Sequence, residues 1–99
     1  MVGDCLFCKI VAGEIPATVV ARASGMVAFE DIAPKADTHV LVVPERHLES
    51  LREVDELDAH EAQKMLNFVA STAHGLGLED YRVIVNVGPG GGQTVFHLH

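Results

Sequence analysis

The sequence predicts an α+β domain: a mostly antiparallel five-stranded sheet, one long helix covering it, and a short helix at the N-terminus. Three observations carry this. Between Asp58 and His74, the residues Ala62, Met65, Leu66, Val69, Ala70 and Ala73 recur at i, i+3, i+4, i+7, i+8 and i+11, one apolar face of a helical period. Short apolar or β-branched runs bounded by Gly, Pro and Asp read as strands. The last two of these runs are separated by about five glycine-rich residues, a hairpin length that makes them antiparallel neighbours.

Each element follows in order. Cys5 to Ala12 is a short helix closed by Gly13, and Pro16 blocks its continuation. Thr18 to Ala21 is the first strand, Ser24-Gly25 the turn, and Met26 to Glu30 the second strand. Asp31-Ile32-Ala33-Pro34 is loop chemistry. His39 to Val43 is the third strand, stopped by Pro44. Glu49 to Glu61 is acidic and reads as a solvated segment. The long helix then opens on Asp58 with Glu61 three residues on, a capping pair, and stops at Gly75 and Gly77. Tyr81 to Val87 alternates Tyr81, Val83, Val85 and Val87 on one face as a fourth strand. Gly88-Pro89-Gly90-Gly91-Gly92 is a loop, and Gln93 to His99 begins a fifth strand. Residues 1–99 read as a single domain, cut within that last strand.

Composition bounds the function. The 99 residues are 48% hydrophobic, enough for a core, yet few enough that a metal or a second subunit would help. Seven Lys and Arg stand against fourteen Asp and Glu, a formal charge of −7, which argues against a nucleic-acid polymer as partner. One small phosphate ligand stays open, because backbone amides and histidines hold phosphate without a basic patch. No apolar run is long enough to span a membrane, and Met1-Val2-Gly3-Asp4 lacks the basic and apolar regions of a signal peptide. The expectation is a cytoplasmic protein.

Two constellations carry chemistry. In Val95-Phe96-His97-Leu98-His99, strand alternation puts His97 and His99 on one face and Phe96 and Leu98 on the other. The two imidazoles suit a metal or a phosphate, or are solvent-facing residues of an edge strand. The glycines before them allow close backbone approach to a ligand, and Gln93 and Thr94 add an amide and a hydroxyl at the loop exit. No Lys-Ser or Lys-Thr follows the glycines, so this is not a P-loop. Cys5 and Cys8 have the spacing of two thiolates on one tetrahedral ion; reduced thiols and a redox pair are the alternatives. His60 and His74 lie on the polar side and at the end of the long helix, and His74 suits the helix dipole.

The stretch Gly92-Gln93-Thr94-Val95-Phe96-His97-Leu98-His99 resembles the signature of the histidine triad (HIT) superfamily, His-φ-His-φ-His-φ-φ with φ apolar. Cys5 to Ile10, Glu14 to Ala17, Ala28 to Pro34, Thr38 to Pro44 and Asn86 agree in order, so the likeness spans residues 4–99 and is nearest the Hint-like nucleotide-binding branch. The chain stops at His99, before the third histidine of that motif.

The resemblance implies a hydrolase that cleaves purine nucleoside phosphoramidates, or related nucleoside monophosphate derivatives, through a nucleotidyl-histidine. The alternative is a non-catalytic nucleotide-binding or protein-interaction module, since the third histidine is absent. On the family pattern His99 is the nucleophile, with His97, Thr94 and Gln93 catalytic. Phe7, Phe29, Asp31, Ile32, Asn86, Gly92, Gln93, Thr94 and His99 hold the nucleotide, the phosphate donors being the Gly92 and Thr94 amides, the Thr94 hydroxyl and the Gln93 side chain. Phe7, Phe29 and Ile32 read equally as core, and Asp31 as a turn residue. His39 matches a further family histidine that supports the nucleophile's strand or is simply buried. The resemblance also completes a zinc site from Cys5, Cys8, His47 and His97, and implies a homodimer formed by the long helices and the fourth strands. The implied partners are thus a purine nucleoside monophosphate or its phosphoramidate or ester and a second copy of the chain, with neither nucleic-acid polymer nor membrane.

Overall fold

The structure, a computed structural model, describes residues 4–99; Met1 to Gly3, part of the N-terminal segment read above, lie outside them. Helix α1 spans Leu6–Val11. Cys5 caps it, its Sγ accepting the Cys8 N–H at 3.3 Å. Its end is a Schellman turn: Glu14 N–H donates to Lys9 O at 2.9 Å and Gly13 N–H to Ile10 O at 3.0 Å. Gly13 sits at φ +80°, where a side chain would be strained.

Strands β1 (Val19–Ala23), β2 (Met26–Glu30) and β3 (Val40–Pro44) form an antiparallel sheet in that order. The β1–β2 hairpin turns through Ser24 and Gly25, both at positive φ (55° and 77°), as a two-residue turn matching the twist of the strands requires. β2 is central, and its alternation assigns the two faces. Val27 and Phe29, with Val43 of β3, pack against Phe7 and Ile10 of α1 and against Val95. Met26 and Ala28 pack on the other face against Phe68. Helix α2 (Ala59–Gly75) covers that second face, starting from a complete capping box between Asp58 and Glu61. Gly77, at φ +75°, ends it in a second Schellman turn. Among the described residues no helix is long and apolar enough to cross a membrane.

Four expectations need correction. The described sheet has three strands, not five. Tyr81–Val87 has strand periodicity, but among the described residues none of its backbone groups hydrogen-bonds to other backbone, and Tyr81, Val83, Ile84 and Val85 are exposed. Periodicity is a property of one segment, whereas a ladder needs two. Nor do residues 93–99 form a strand; a single backbone bond, Leu98 N–H to Leu48 O at 2.7 Å, ties them to the segment just after β3. Residues 88–93 close on themselves around a short turn, Pro89–Gly91, instead of joining two strands.

The buried stripe of α2 is also rotated from the expected one. Phe68, Thr72 and Ala73 are buried, while Leu66 is 67% exposed and Ala70 is exposed too. The large Phe68 ring reaches the sheet and sets the roll of the helix. Finally, the acidic segment is ordered: Leu51–Glu56 is a 3₁₀ helix capped by Ser50, anchored by buried Leu48 and Leu57 packing on Leu98.

Candidate functional site

The C-terminal segment lies on the α1 side of the sheet, and His97 is its fixed point. The ring is 0% exposed, and its Nε2 is 2.8 Å from the Pro44 carbonyl at the end of β3. A carbonyl only accepts, so Nε2 carries the proton and Nδ1 keeps a lone pair. Burial, followed by the neighbouring His47 and His99, lowers the His97 pKa against the raising effect of the Pro44 bond, so the ring stays neutral as a ligand must.

The free Nδ1 lies 3.3 Å from Cys5 Sγ, 3.4 Å from Cys8 Sγ and 3.2 Å from His47 Nδ1. Cys8 Sγ is in turn 3.3 Å from His47 Nδ1. All four ligand atoms fall within 4.8 Å of one another. Atoms bound tetrahedrally at zinc's usual nitrogen and sulfur distances would stand about 3.3–3.8 Å apart, so the cluster has the size of a single-ion cage. The donors are zinc's own preference, two sulfurs and two imidazole nitrogens, and the Pro44 carbonyl is the outer partner that orients a ligating histidine. Cys5, Cys8, His47 and His97 thus form a metal site suited to structural Zn2+, tying α1 to the end of β3 and to the C-terminal segment.

His99 has the opposite polarity. Its Nδ1 is 2.7 Å from the His97 carbonyl, so Nδ1 carries the proton and Nε2 keeps the lone pair. The half-buried ring meets Phe7 edge to face, with centroids 5.0 Å apart. Phe7 also packs edge-on against Phe29, at 5.4 Å, and against His97, at 6.1 Å.

The glycine loop is held by Gln93, which is 3% exposed. Its Oε1 accepts Gly88 N–H at 2.9 Å, and its Nε2 donates to Glu49 O at 2.7 Å and Val95 O at 3.0 Å. Both amide protons are committed within the protein, so Gln93 is a strut under the loop. The Gly92 amide is likewise used, donating to Pro89 O at 3.1 Å. Among the described residues, the Thr94 amide and hydroxyl and the Asn86 side chain make no hydrogen bond, and both residues are exposed. The Asn86 amide lies 3.6 Å from where a Cβ on Gly92 would sit, and Gly92 is at φ +89°. A Cβ there would stand in ordinary contact with Asn86, but the positive φ would strain the backbone of any other residue.

Phe7 and Phe29 are core, 5% and 2% exposed, and form the wall behind His99. Ile32 is the reverse, 95% exposed. Asp31 is not only a turn residue: one oxygen accepts Ala33 N–H at 2.8 Å and the other lies 3.3 Å from His39 Nε2. His39 is therefore tied to the 31–39 loop, while the His97 carbonyl and Phe7 are what support His99. Sequence reasoning missed the carbonyls of Pro44, His97 and Glu49, and no residue type signals a carbonyl's role. His60 and His74 are exposed on α2, apart from the site.

The pattern of the HIT domain family matches residues 12–99. The chain belongs to the HIT domain family. Protein HitA of Neisseria gonorrhoeae is 43% identical over 97 residues, covering 97% of this chain and 91% of HitA. A 14 kDa zinc-binding protein of Zea mays is 40% identical over 97 residues, 95% of this chain and 76% of the maize protein. Among solved structures, a HIT family hydrolase from Clostridium thermocellum superposes with a TM-score of 0.92 at 37% identity, covering 100% of this chain and 88% of the other.

The metal site of this HIT protein carries a prediction. Purified without chelator, it is expected to hold about one zinc per chain. Burial, then the neighbouring Cys5, pushes the Cys8 thiol up to about 11, so below that pH zinc must displace its proton. Affinity should therefore rise with pH, by at least about tenfold per unit between pH 6 and 8 in competition with a chromophoric chelator. A protein that binds no zinc, and whose unfolding temperature ignores chelators, would contradict the site.

Proposed function

We propose that this HIT protein is a hydrolase that cleaves purine nucleoside phosphoramidates, or related nucleoside monophosphate derivatives, with His99 as nucleophile. The observation that carries the reading is the 2.7 Å contact from His99 Nδ1 to the His97 carbonyl. It leaves the Nε2 lone pair available, and Phe7 holds the ring edge-on. Neutral imidazole is a competent nucleophile near pH 7, and a covalent intermediate divides one hard displacement into two easier ones.

In this reading Nε2 attacks the α-phosphorus and the P–N bond breaks. The amine leaves, taking up a proton. Water then cleaves the nucleotidyl-histidine, releasing the nucleoside monophosphate and restoring the imidazole. The Thr94 amide and hydroxyl and the Asn86 side chain are the uncommitted donors for charge on the phosphate oxygens. Gln93 contributes by shaping the loop that presents them. Ile32, fully exposed, covers the base, and the Asp31 carboxylate accepts from the sugar. When bound, zinc supplies a cross-link that keeps α1, and with it Phe7, against the C-terminal segment. The similarity to a protein described as a HIT family hydrolase supports the hydrolytic reading, and the similarity to a zinc-binding protein supports occupancy by zinc.

Replacing His99 with Ala is expected to lower phosphoramidate turnover by at least about a thousandfold, as removal of a nucleophile does. Binding of adenosine monophosphate by calorimetry should persist within about tenfold, the loss of one contact. Retained turnover in H99A would sink the assignment.

The second part of the proposal is a homodimer. The exposed Leu66 and Ala70 on α2, and the backbone of Tyr81–Val87, unpaired among the described residues, are apolar surface and open ladder groups that a two-fold partner would cover. Light scattering at micromolar concentration should give about twice the 10.6 kDa of one chain. Ile84→Lys should shift the mass toward the monomer. A monomeric unsubstituted chain would count against this pairing.

A further inference from the structure

Cys5 and Cys8 are the only two cysteines of the chain. Cys5 stands at the start of α1 and Cys8 within its first turn, where Cys8 N–H donates to Cys5 Sγ at 3.3 Å. Both sulfurs lie against one atom, His97 Nδ1, at 3.3 and 3.4 Å, and within 4.8 Å of each other. Both cysteines are half-buried, whereas His97 is fully buried, so a small solute in water can reach the sulfurs.

The connectivity of the cluster gives the pair a second property. Its contacts to His97 span 92 and 89 residues of sequence, and its contact to His47 spans 39. A metal held by all four side chains therefore cross-links α1 to the segment after β3 and to the C-terminal segment. A disulfide between Cys5 and Cys8 closes a ring within α1 alone and reaches neither histidine. An S–S bond is ~2.05 Å long. Two sulfurs sharing one zinc ion, each ~2.3 Å from it in a tetrahedral cage, stand well beyond that distance. The two bonding states exclude each other. His47 and His97 by themselves supply half of the four donors a closed zinc site requires.

We propose that Cys5 and Cys8 are a redox switch on the metal site: hydrogen peroxide oxidises them to a disulfide, zinc is released, and α1 with Phe7 loses its tie to the segment that holds His97 and His99. One thiolate attacks the peroxide, the O–O bond breaks, and hydroxide leaves and takes up a proton as water. The other thiolate attacks the sulfenic acid so formed; the S–S bond forms, the S–O bond breaks, and a second hydroxide leaves as water. Two electrons pass from the two sulfurs to the peroxide, two protons come from solvent, and the zinc ion departs with its charge unchanged. Phe7 lies between the two cysteines and meets His99 edge to face at 5.0 Å, so the state of the pair is conveyed to His99. The disulfide and the zinc release rest on the metal site alone; an accompanying loss of hydrolysis rests also on the nucleotide reading above.

The test adds hydrogen peroxide to the zinc-loaded chain beside a chromophoric chelator. One zinc should be released for every two thiols lost, as a site with two sulfur ligands requires. The intact mass should fall about 2 Da below that of the reduced, zinc-free chain, the loss of two hydrogens. Dithiothreitol with added zinc should restore both thiols and metal. The His99 ring-proton resonances should shift as zinc leaves, because the Phe7 ring current acts on them. Cys8→His keeps four zinc donors but no partner for an S–S bond, and should hold its zinc at the dose that empties the unsubstituted chain. If C8H does not load zinc, the mass and the zinc-to-thiol ratio of the unsubstituted chain decide. Zinc that stays bound while methionines oxidise, each adding about 16 Da, overturns the proposal. So does release that dithiothreitol cannot reverse, the mark of sulfinic acids, and so does release from C8H at the same dose. His99 resonances indifferent to the disulfide overturn the link to Phe7. A chain that switches as described but hydrolyses no phosphoramidate in either state upholds the switch and fails the nucleotide reading.

Discussion

The contact between the His97 ring and the Pro44 carbonyl is the one on which the rest of the site depends. It pins a fully buried imidazole to the end of β3 and dictates which nitrogen carries the proton. From that one choice, Nδ1 becomes a lone-pair donor inside a cage of two sulfurs and a second imidazole. The ring is held from one side by the sheet and from the other by the cage, so the His97 backbone is held as well. Its carbonyl accepts from His99 Nδ1 and dictates the opposite tautomer there. One residue thus joins a structural centre, through its side chain, to the proposed nucleophile, through its main chain.

Phe7 makes the coupling tighter. It lies between Cys5 and Cys8 on a helix of only six residues, too short to be stable in isolation. What holds that helix is its capping by Cys5, its Schellman turn, the packing of Phe7 and Ile10 on the sheet, and the thiol–imidazole cluster. The Phe7 ring touches both histidines edge-on, so whatever keeps α1 in place also seats His99. Backbone groups set the proton position on three histidines in this way: Pro44 O for His97, His97 O for His99, and the Lys35 amide for His39.

The legible parts of the sequence were those governed by local chemistry. Asp58 and Glu61 announced the start of α2, and the Ser24-Gly25 turn and the apolar run of β2 appear as expected, because caps and tight turns depend on a few adjacent residues. The resemblance also placed Cys5, Cys8, His47 and His97 together, although they span most of the chain. The rest depends on partners that no segment encodes by itself. Among the described residues Tyr81–Val87 has the period of a strand but no ladder, and Leu66 has the period of a core residue but faces outward because Phe68 takes the sheet. The loop-bracing role of Gln93 was not legible either, since its three bonds reach Gly88, Glu49 and Val95, the second of them far away in sequence.

The most direct test of this account reads the protons on the imidazoles themselves. Nitrogen-15 NMR of zinc-loaded, histidine-labelled protein near pH 7 resolves which ring nitrogen is protonated. The account predicts the Nε2–H tautomer for His97, with Nδ1 shifted as a metal ligand, and the Nδ1–H tautomer for His99. Removing zinc should leave His99 sampling both tautomers as His97 loosens. A His99 that carries its proton on Nε2 in the zinc-loaded protein, or one whose tautomer is indifferent to zinc, would contradict the claim that His97 governs the His99 tautomer.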